Sequence, residues 1–256
     1  MISNDSLHLD NVSIGYTARH KTVRAVGSGI SATAAAGSLT CLIGRNGSGK
    51  STLLRTIARL QQPLAGSILI GTDDIRKMRR GEFARRLSIV LTQRPDTDNM
   101  TAGELVALGR APHTGFWGRL SPADSQAVDH ALALAGISDM ARRRVCSLSD
   151  GECQKVMVAK SLAQGTPVIL LDEPSAFLDY PGKVELMRLL VRLAHGEGKT
   201  ILISTHDLDT ALPLADRLWL MHDGQIAEGT PMELANNGSL EKCLGYKMGV
   251  GYMHNT

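Results

Sequence analysis

An apolar run, Leu39-Thr40-Cys41-Leu42-Ile43, leads into Gly44-Arg45-Asn46-Gly47-Ser48-Gly49-Lys50-Ser51, and a helix-forming segment from Thr52 to Ala58 follows. The central residues match G-x-x-x-x-G-K-[ST] in full, in the strand–loop–helix context that the motif needs. Its glycines let the backbone wrap closely round a phosphate chain and aim several N–H groups inward. The helix start beneath adds partial positive charge. Lys50 is placed to reach β- and γ-phosphates, and Ser51 to coordinate Mg²⁺. Gly44, Asn46, Gly47, Ser48, Gly49 and Thr52 complete the candidate lining. A chance glycine turn before a helix is the bland alternative, and the flanking strand and helix weigh against it.

Two further apolar runs, Val168-Ile169-Leu170-Leu171 and Thr200-Ile201-Leu202-Ile203, lack alternation. Such runs suit parallel strands buried on both faces. The first ends in Asp172-Glu173-Pro174. Acids at the carboxyl end of a buried parallel strand face the crevice where such sheets bind ligands. Asp172 is suited to hold Mg²⁺ through water, and Glu173 to orient or deprotonate an attacking water. Without the phosphate loop the same residues would read as an acidic turn after a core strand.

Composition narrows the classes. The chain has 256 residues, 43% of them hydrophobic, enough for one large core or two small ones. A net charge of +3 is too mild to argue for a nucleic-acid surface, and 4% aromatics make single-strand stacking platforms unexpected. Met1-Ile2-Ser3-Asn4-Asp5 carries an acid with no apolar core after it, unlike a secretory signal. No apolar run approaches the roughly 20 residues of a membrane span. The chain is therefore expected to be soluble by itself; at a membrane, another chain must do the spanning. Cys41, Cys146, Cys153 and Cys243 show no C-x-x-C spacing and no suitable histidine nearby. Free thiols in a reducing cytosol fit better than disulfides or zinc, with Cys41 a small core residue.

The remaining pattern is coarser. Leu7, Leu9, Val12 and Ile14 alternate up to Gly15-Tyr16, as in a half-exposed antiparallel strand. Short strands are expected at Ser67–Gly71 and Leu87–Leu91, with a basic helix-like stretch from Arg76 to Arg86 between them. Its Arg79, Arg80, Arg85 and Arg86 read first as a solvated face and second as a surface for acidic partners. From Met100 to about Ala163 the period turns helical, with one helix around Glu104–Leu108, a loop at Pro112–Pro122 and a helix over Asp124–Ala135 stopped by Gly136. Leu218–Met221 and Gln225–Ala227 flank His222-Asp223-Gly224, a hairpin signature. Gly238 to Thr256 is weakly patterned and expected to be partly mobile.

Leu148-Ser149-Asp150-Gly151-Glu152 opens a helix running through Val156, Met157 and Leu162. This segment resembles the LSGGQ signature of ABC-type ATPases, and its place upstream of the acidic strand agrees. Gln93 is similar to the Q-loop glutamine, Ser175-Ala176-Phe177-Leu178-Asp179 to the D-loop, and Ser204-Thr205-His206-Asp207 to the switch-histidine segment. Tyr16 stands where the family places an aromatic against adenine. The resemblance covers about Leu7 to Pro231. It implies one ABC ATPase domain over 1–256: an α/β P-loop core with a parallel sheet, an N-terminal antiparallel β subdomain and an inserted helical subdomain at about 94–164. It implies ATP and Mg²⁺, with Ser51, Gln93 and Asp172 toward the metal, and Lys50, Gln93, Glu173 and His206 in catalysis. Two copies would pack head to tail, each ATP held between Lys50 of one and Ser149 and Gly151 of the other.

The signature departs from the family pattern: Asp150 replaces a glycine and Glu152 a glutamine. Two added negative charges near a triphosphate should repel it unless the side chains face away. The same residues also spell S-x-x-E, a capping box, with acids favoured in the first helical turn. His206 alone would read as a hydrogen-bonded strand-end histidine; after Thr200–Ser204 it reads as a γ-phosphate contact. Met100 to His113 looks like the segment after the Q-loop in importers of iron–siderophore, haem and cobalamin type. Asp179-Tyr180-Pro181 and Leu218-Trp219-Leu220-Met221 are similar to iron-chelate members. The resemblance thus implies an energy-coupling subunit, peripheral on the cytoplasmic face of the inner membrane. It would pair with polytopic permease subunits, with a substrate-binding protein as an indirect partner, and no nucleic acid. A soluble ABC ATPase, for example of iron–sulfur assembly, is the alternative.

Overall fold

The structure is a computed structural model that describes residues 5–17, 23–92, 97, 99–115 and 117–245; Gln93, the first residues of the expected helical insert and the tail from 246 lie outside them. In chain order its elements are β1 (Leu7–Thr17), β2 (Val23–Ala34), β3 (Leu39–Ile43), α1 (Lys50–Ile57), β4 (Ala65–Ile70), β5 (Asp73–Asp74), α2 (Arg80–Phe83), β6 (Leu87–Val90), α3 (Ala102–Ala107) and α4 (Pro122–Leu134). They continue as α5 (Asp150–Ala163), β7 (Val168–Asp172), α6 (Tyr180–Glu197), β8 (Thr200–Thr205), α7 (Leu208–Leu214), β9 (Arg217–His222), β10 (Gln225–Gly229), α8 (Pro231–Asn236) and α9 (Ser239–Leu244).

The strands form two sheets, ordered β2-β1-β4-β5 and β10-β9-β3-β8-β7-β6. The first is antiparallel. In the second, β9, β3, β8, β7 and β6 run parallel, and only the edge strand β10 turns back. Every residue of β3, β7 and β8 is buried, which explains why they carry no polar alternation. Their side chains feed two cores in turn. Cys41, Ile43, Ile169, Leu171, Ile201 and Ile203 pack with apolar residues of α3 to α7. Leu42, Val168, Leu170, Leu202 and Trp219 pack with Leu53, Leu54 and Ile57 of α1 and the inner face of the antiparallel sheet. Each buried leucine stabilises by about 1.5–3 kcal/mol.

Turn chemistry closes the edges. Asp223 and Gly224 carry φ of 48° and 72° between β9 and β10, the paired positive angles of a two-residue hairpin turn. Helices α3, α4 and α5 each begin with a reciprocal box, Thr101 with Glu104, Ser121 with Asp124 and Ser149 with Glu152. Arg110 then ties them together. Its guanidinium lies 2.9 Å from Asp124 Oδ1 and donates to Ala163 O at 2.7 Å.

Two expectations change. The stretch from Arg76 to Arg86 is not one helix. A 3₁₀ turn at Ile75–Lys77 ends in extended Met78, and α2 spans only Arg80–Phe83. Ile75 and Met78 are both buried, and the chain is extended at Met78 and Arg79 between the two short helical pieces. The tail expectation fails over its first part: α9 is a docked helix with Leu240 and Cys243 buried. No helix among the described residues is long and apolar enough to cross a membrane.

Leu171 is fully buried in β7, so Leu171→Ala should cost about 2–5 kcal/mol, read as a lower urea midpoint at unchanged slope. Hydrogen bonds from the Ser121 hydroxyl and amide, then from Arg110, hold the Asp124 carboxyl at about 2, below its usual 3.8. A depressed carboxylate contributes stability above its ordinary value and loses it as pH falls. The stability difference between the protein and Asp124→Asn should therefore be constant above pH 3.8 and shrink toward pH 2. A difference flat through that window in thermal melts would contradict it.

Candidate nucleotide site

Parallel pairing brings three strand ends to one edge of the sheet. Ile43 of β3 lies beside Thr205 of β8, and Ser204 of β8 beside Asp172 of β7. The loop after β3 is glycine-dependent for two physical reasons. Gly47 and Gly49 hold φ of 79° and 109°, a region that side chains disfavour. Gly44 has no room, since a Cβ there would sit 2.6 Å from Met221 O and 2.7 Å from Ser48 Oγ. Helix α1 starts at Lys50 with Gly49 as N-cap and no side-chain cap. Its first amides are thus left to a ligand rather than to a side-chain oxygen.

Lys50 Nζ is buried at the loop mouth. It donates to Gly44 O at 2.8 Å and to Arg45 O at 3.4 Å, and lies 3.9 Å from Glu173 Oε1. Ser48 Oγ is buried and, among the described residues, has no hydrogen-bond partner. An orphaned hydroxyl inside a glycine loop is what an incoming phosphate oxygen would satisfy. Ser51 Oγ donates to Asp172 Oδ1 at 3.1 Å. A hydroxyl and a carboxylate at that separation form the hard oxygen set that suits Mg²⁺.

Sequence reasoning placed Ser204 in the switch-histidine segment and gave it no role of its own. Its hydroxyl is fully buried, donates to Asp172 Oδ1 at 2.7 Å and accepts from the Glu173 amide at 2.9 Å. The available signal was a serine closing the apolar run of β8. Thr92 was missed; its hydroxyl donates to Asp172 O at 2.6 Å, pinning the end of the β6 segment to β7. Gln93 itself lies outside the described residues. Glu173 has φ 46°, uncommon for a residue with a side chain and costing on the order of 1–3 kcal/mol. The Ser204 bonds hold that turn and project the Glu173 carboxylate off the sheet edge. His206 Nδ1 stands 3.7 Å from Glu173 Oε2, with about half its side chain exposed. Its neighbour Asp207 pairs with Lys183 at 3.0 Å, which anchors the segment to α6.

Tyr16, half exposed, hydrogen-bonds Thr52 Oγ1 at 2.7 Å and so stands at the start of α1. Lys50, Ser51, Asp172, Glu173 and His206 come together; Ser149 and Gly151 lie elsewhere in the same chain. They line a separate cavity of about 560 Å³ with Phe177, Leu178 and Asp179, and no phosphate-loop residue lines it. In the Ser149 box, the serine amide donates to Glu152 Oε2 at 2.8 Å and its Oγ accepts the Glu152 amide at 3.3 Å. That amide bond, then Arg143, holds the Glu152 carboxyl below its usual range. A Cβ on Gly151 would meet only Leu178 Cδ2, at 3.6 Å. Nothing within the chain therefore demands glycine there, although glycine costs a helix about 1 kcal/mol relative to alanine.

The comparisons agree with this geometry. The ABC transporter family model matches residues 28–176. The achromobactin transport ATP-binding protein of Dickeya dadantii is 41% identical over 77% of this chain and 74% of its own length. The iron(3+)-hydroxamate import ATP-binding protein of Bacillus subtilis is 36% identical over 90% of this chain and 84% of its own. A solved ATP-binding cassette, dimeric in a post-hydrolysis state with ADP and phosphate, superposes with a TM-score of 0.75 at 26% identity, covering 88% of this chain and 98% of that one. A loop built for phosphates, a carboxylate pair held level with it and this extent of similarity have one consistent meaning: the chain belongs to the ABC transporter ATP-binding family and is an ATPase.

Proposed function

We propose that the chain is the ATP-hydrolysing subunit of an importer for an iron–siderophore or related metal chelate. In this reading it works as a head-to-tail pair on the cytoplasmic face of the inner membrane, against polytopic permease subunits and, through them, a substrate-binding protein. The observation that carries the ATPase half is the convergence of Lys50, Ser51, Asp172 and Glu173 where β3 and β7 end. The cargo class draws on the relatives, which are named for achromobactin transport and iron(3+)-hydroxamate import. Those names favour import over the soluble alternative.

The roles follow from chemistry and position. Lys50 leaves the loop carbonyls to meet the β- and γ-phosphates, while the amides at the start of α1 and Ser48 Oγ take phosphate oxygens. Tyr16 stacks on adenine. Ser51 and Asp172, with Gln93, hold Mg²⁺, which when bound offsets charge on the phosphate oxygens. Glu173 orients a water in line with the γ-phosphate, and His206 contacts that phosphate from the other side of the carboxylate. Ser149 and Gly151 of a second copy complete the site. Because one chain keeps these groups apart, turnover requires closure of the pair, which ties chemistry to a movement that the permease can sense.

Lys50→Ala should abolish ATP turnover. Glu173→Gln should still bind ATP, elute as a dimer with Mg-ATP on gel filtration, and hydrolyse about 10²–10⁴-fold more slowly; a fully active Glu173→Gln would remove the mechanism. Tagged Glu173→Gln should also recover a polytopic membrane chain from detergent-solubilised native membranes. Recovery of soluble partners alone, with and without Mg-ATP, would instead place the chain among soluble ABC ATPases.

A further inference from the structure

The turn from Ser149 to Gly151 is where the proposed function sets a triphosphate, yet it carries a carboxylate at Asp150 and is followed by a second at Glu152. The structure shows what restrains the charge at Glu152. Glu152 Oε2 is turned back onto the Ser149 amide at 2.8 Å, and Arg143 Nη1 donates to Glu152 Oε1 at 2.8 Å. The other arm of the same guanidinium, Nη2, donates to Ser147 O at 3.2 Å. Arg143 thus forks across the chain on both sides of Ser149.

Its own backbone is fixed independently. The Arg143 carbonyl accepts the Ala102 amide at 2.9 Å, the Ala141 carbonyl accepts the Gly103 amide at 2.8 Å, and the Arg143 amide donates to Met140 O at 2.9 Å. The guanidinium is therefore delivered to Glu152 from a segment seated on the first turn of α3, not from a free loop. A planar fork is suited to holding one carboxylate oxygen and a nearby carbonyl together.

We propose that Arg143 is a positioning residue for the nucleotide-facing turn: it cancels the Glu152 charge and keeps that carboxylate directed away from the phosphates of the paired copy. A capping box accepts glutamine as readily as glutamate, so the box alone does not require a cation beside it. The charge does. The inference rests on the paired-copy reading above.

The test uses the full chain in the Glu173→Gln background, with Mg-ATP-driven dimerisation followed by analytical ultracentrifugation. Binding of a fluorescent ATP analogue to the monomer, which uses the Lys50 loop, checks that each variant is folded. Arg143→Ala should weaken dimerisation by on the order of tenfold or more, as like charges meeting across an interface do. Arg143→Lys should retain most of it. Adding Glu152→Gln to Arg143→Ala should restore it, and raised salt should partly restore it in Arg143→Ala alone. Arg143→Ala dimerising as its parent does would overturn the proposal. A loss that neither Glu152→Gln nor salt relieves would overturn it too, by making Arg143 a purely structural brace. If the Glu173→Gln parent itself never dimerises with Mg-ATP, the paired-copy reading fails first and this inference falls with it.

Discussion

The parallel register that sets Ile43 beside Thr205 and Ser204 beside Asp172 is the constraint on which the nucleotide end depends. Side chains in a strand alternate faces, so a slip of one residue would send Ser204 and the carboxylate to opposite sides of the sheet. Packing is what opposes the slip, because it would exchange the side chains of β3, β7 and β8 between two cores that each fit their own set. The apolar runs thus do more than fill two cores; they level the ends of three strands. Ser204 converts that alignment into chemistry, since its buried hydroxyl is shared between Asp172 and the Glu173 amide.

Strain is concentrated where the strands end. Glu173 adopts φ 46°, and Gly49 adopts φ 109° immediately before Lys50. The Glu173 conformation costs on the order of 1–3 kcal/mol, whereas glycine accepts the angle at Gly49 without a steric penalty. Ser204 holds the Glu173 turn through its hydroxyl and carbonyl, and beside Gly49 the side chains of Val26 and Met221 would meet a Cβ at 2.5 and 2.9 Å. The rigid sheet behind the site is therefore a condition for the geometry in front of it.

The chemistry-bearing segments were legible because their residue types are forced. Only glycine fits at Gly44 and Gly49, and buried parallel strands admit few polar residues, so Asp172 and Glu173 stand out in sequence. Other parts were hidden for physical reasons. β2, Val23–Ala34, is rich in small residues and has no strong pattern of its own; pairing with β1 makes it a strand. α6, by contrast, carries apolar spacing at Leu186, Leu189, Leu190 and Leu193 behind an Asp179 cap and a proline in its first turn, so its start was legible as well. α9 is too short for periodicity to reveal it, and is defined by burial of Leu240 and Cys243. The basic helix expected over Arg76–Arg86 is interrupted where Met78 and Arg79 are extended.

The helix caps carry a last lesson about where the chain spends its side-chain oxygens. α3, α4, α5 and α8 are closed by reciprocal boxes, and α6 by Asp179. α1 is not. A capping oxygen at position 49 would take one of the amides that make a helix start attractive to an anion, and removing a good cap costs a helix about 1 kcal/mol. The chain forgoes that stabilisation at the one helix that opens from the phosphate loop. At α5 Ser149 is the cap and Glu152 completes the box, as glutamates do at α3 and α8, and the Glu152 carboxylate is met by Arg143 at 2.8 Å. In the proposed function the two helix starts meet opposite needs: α1 leaves its amides open for phosphate, while α5 secures its own first turn and has Arg143 beside Glu152 where a phosphate of the paired copy would lie.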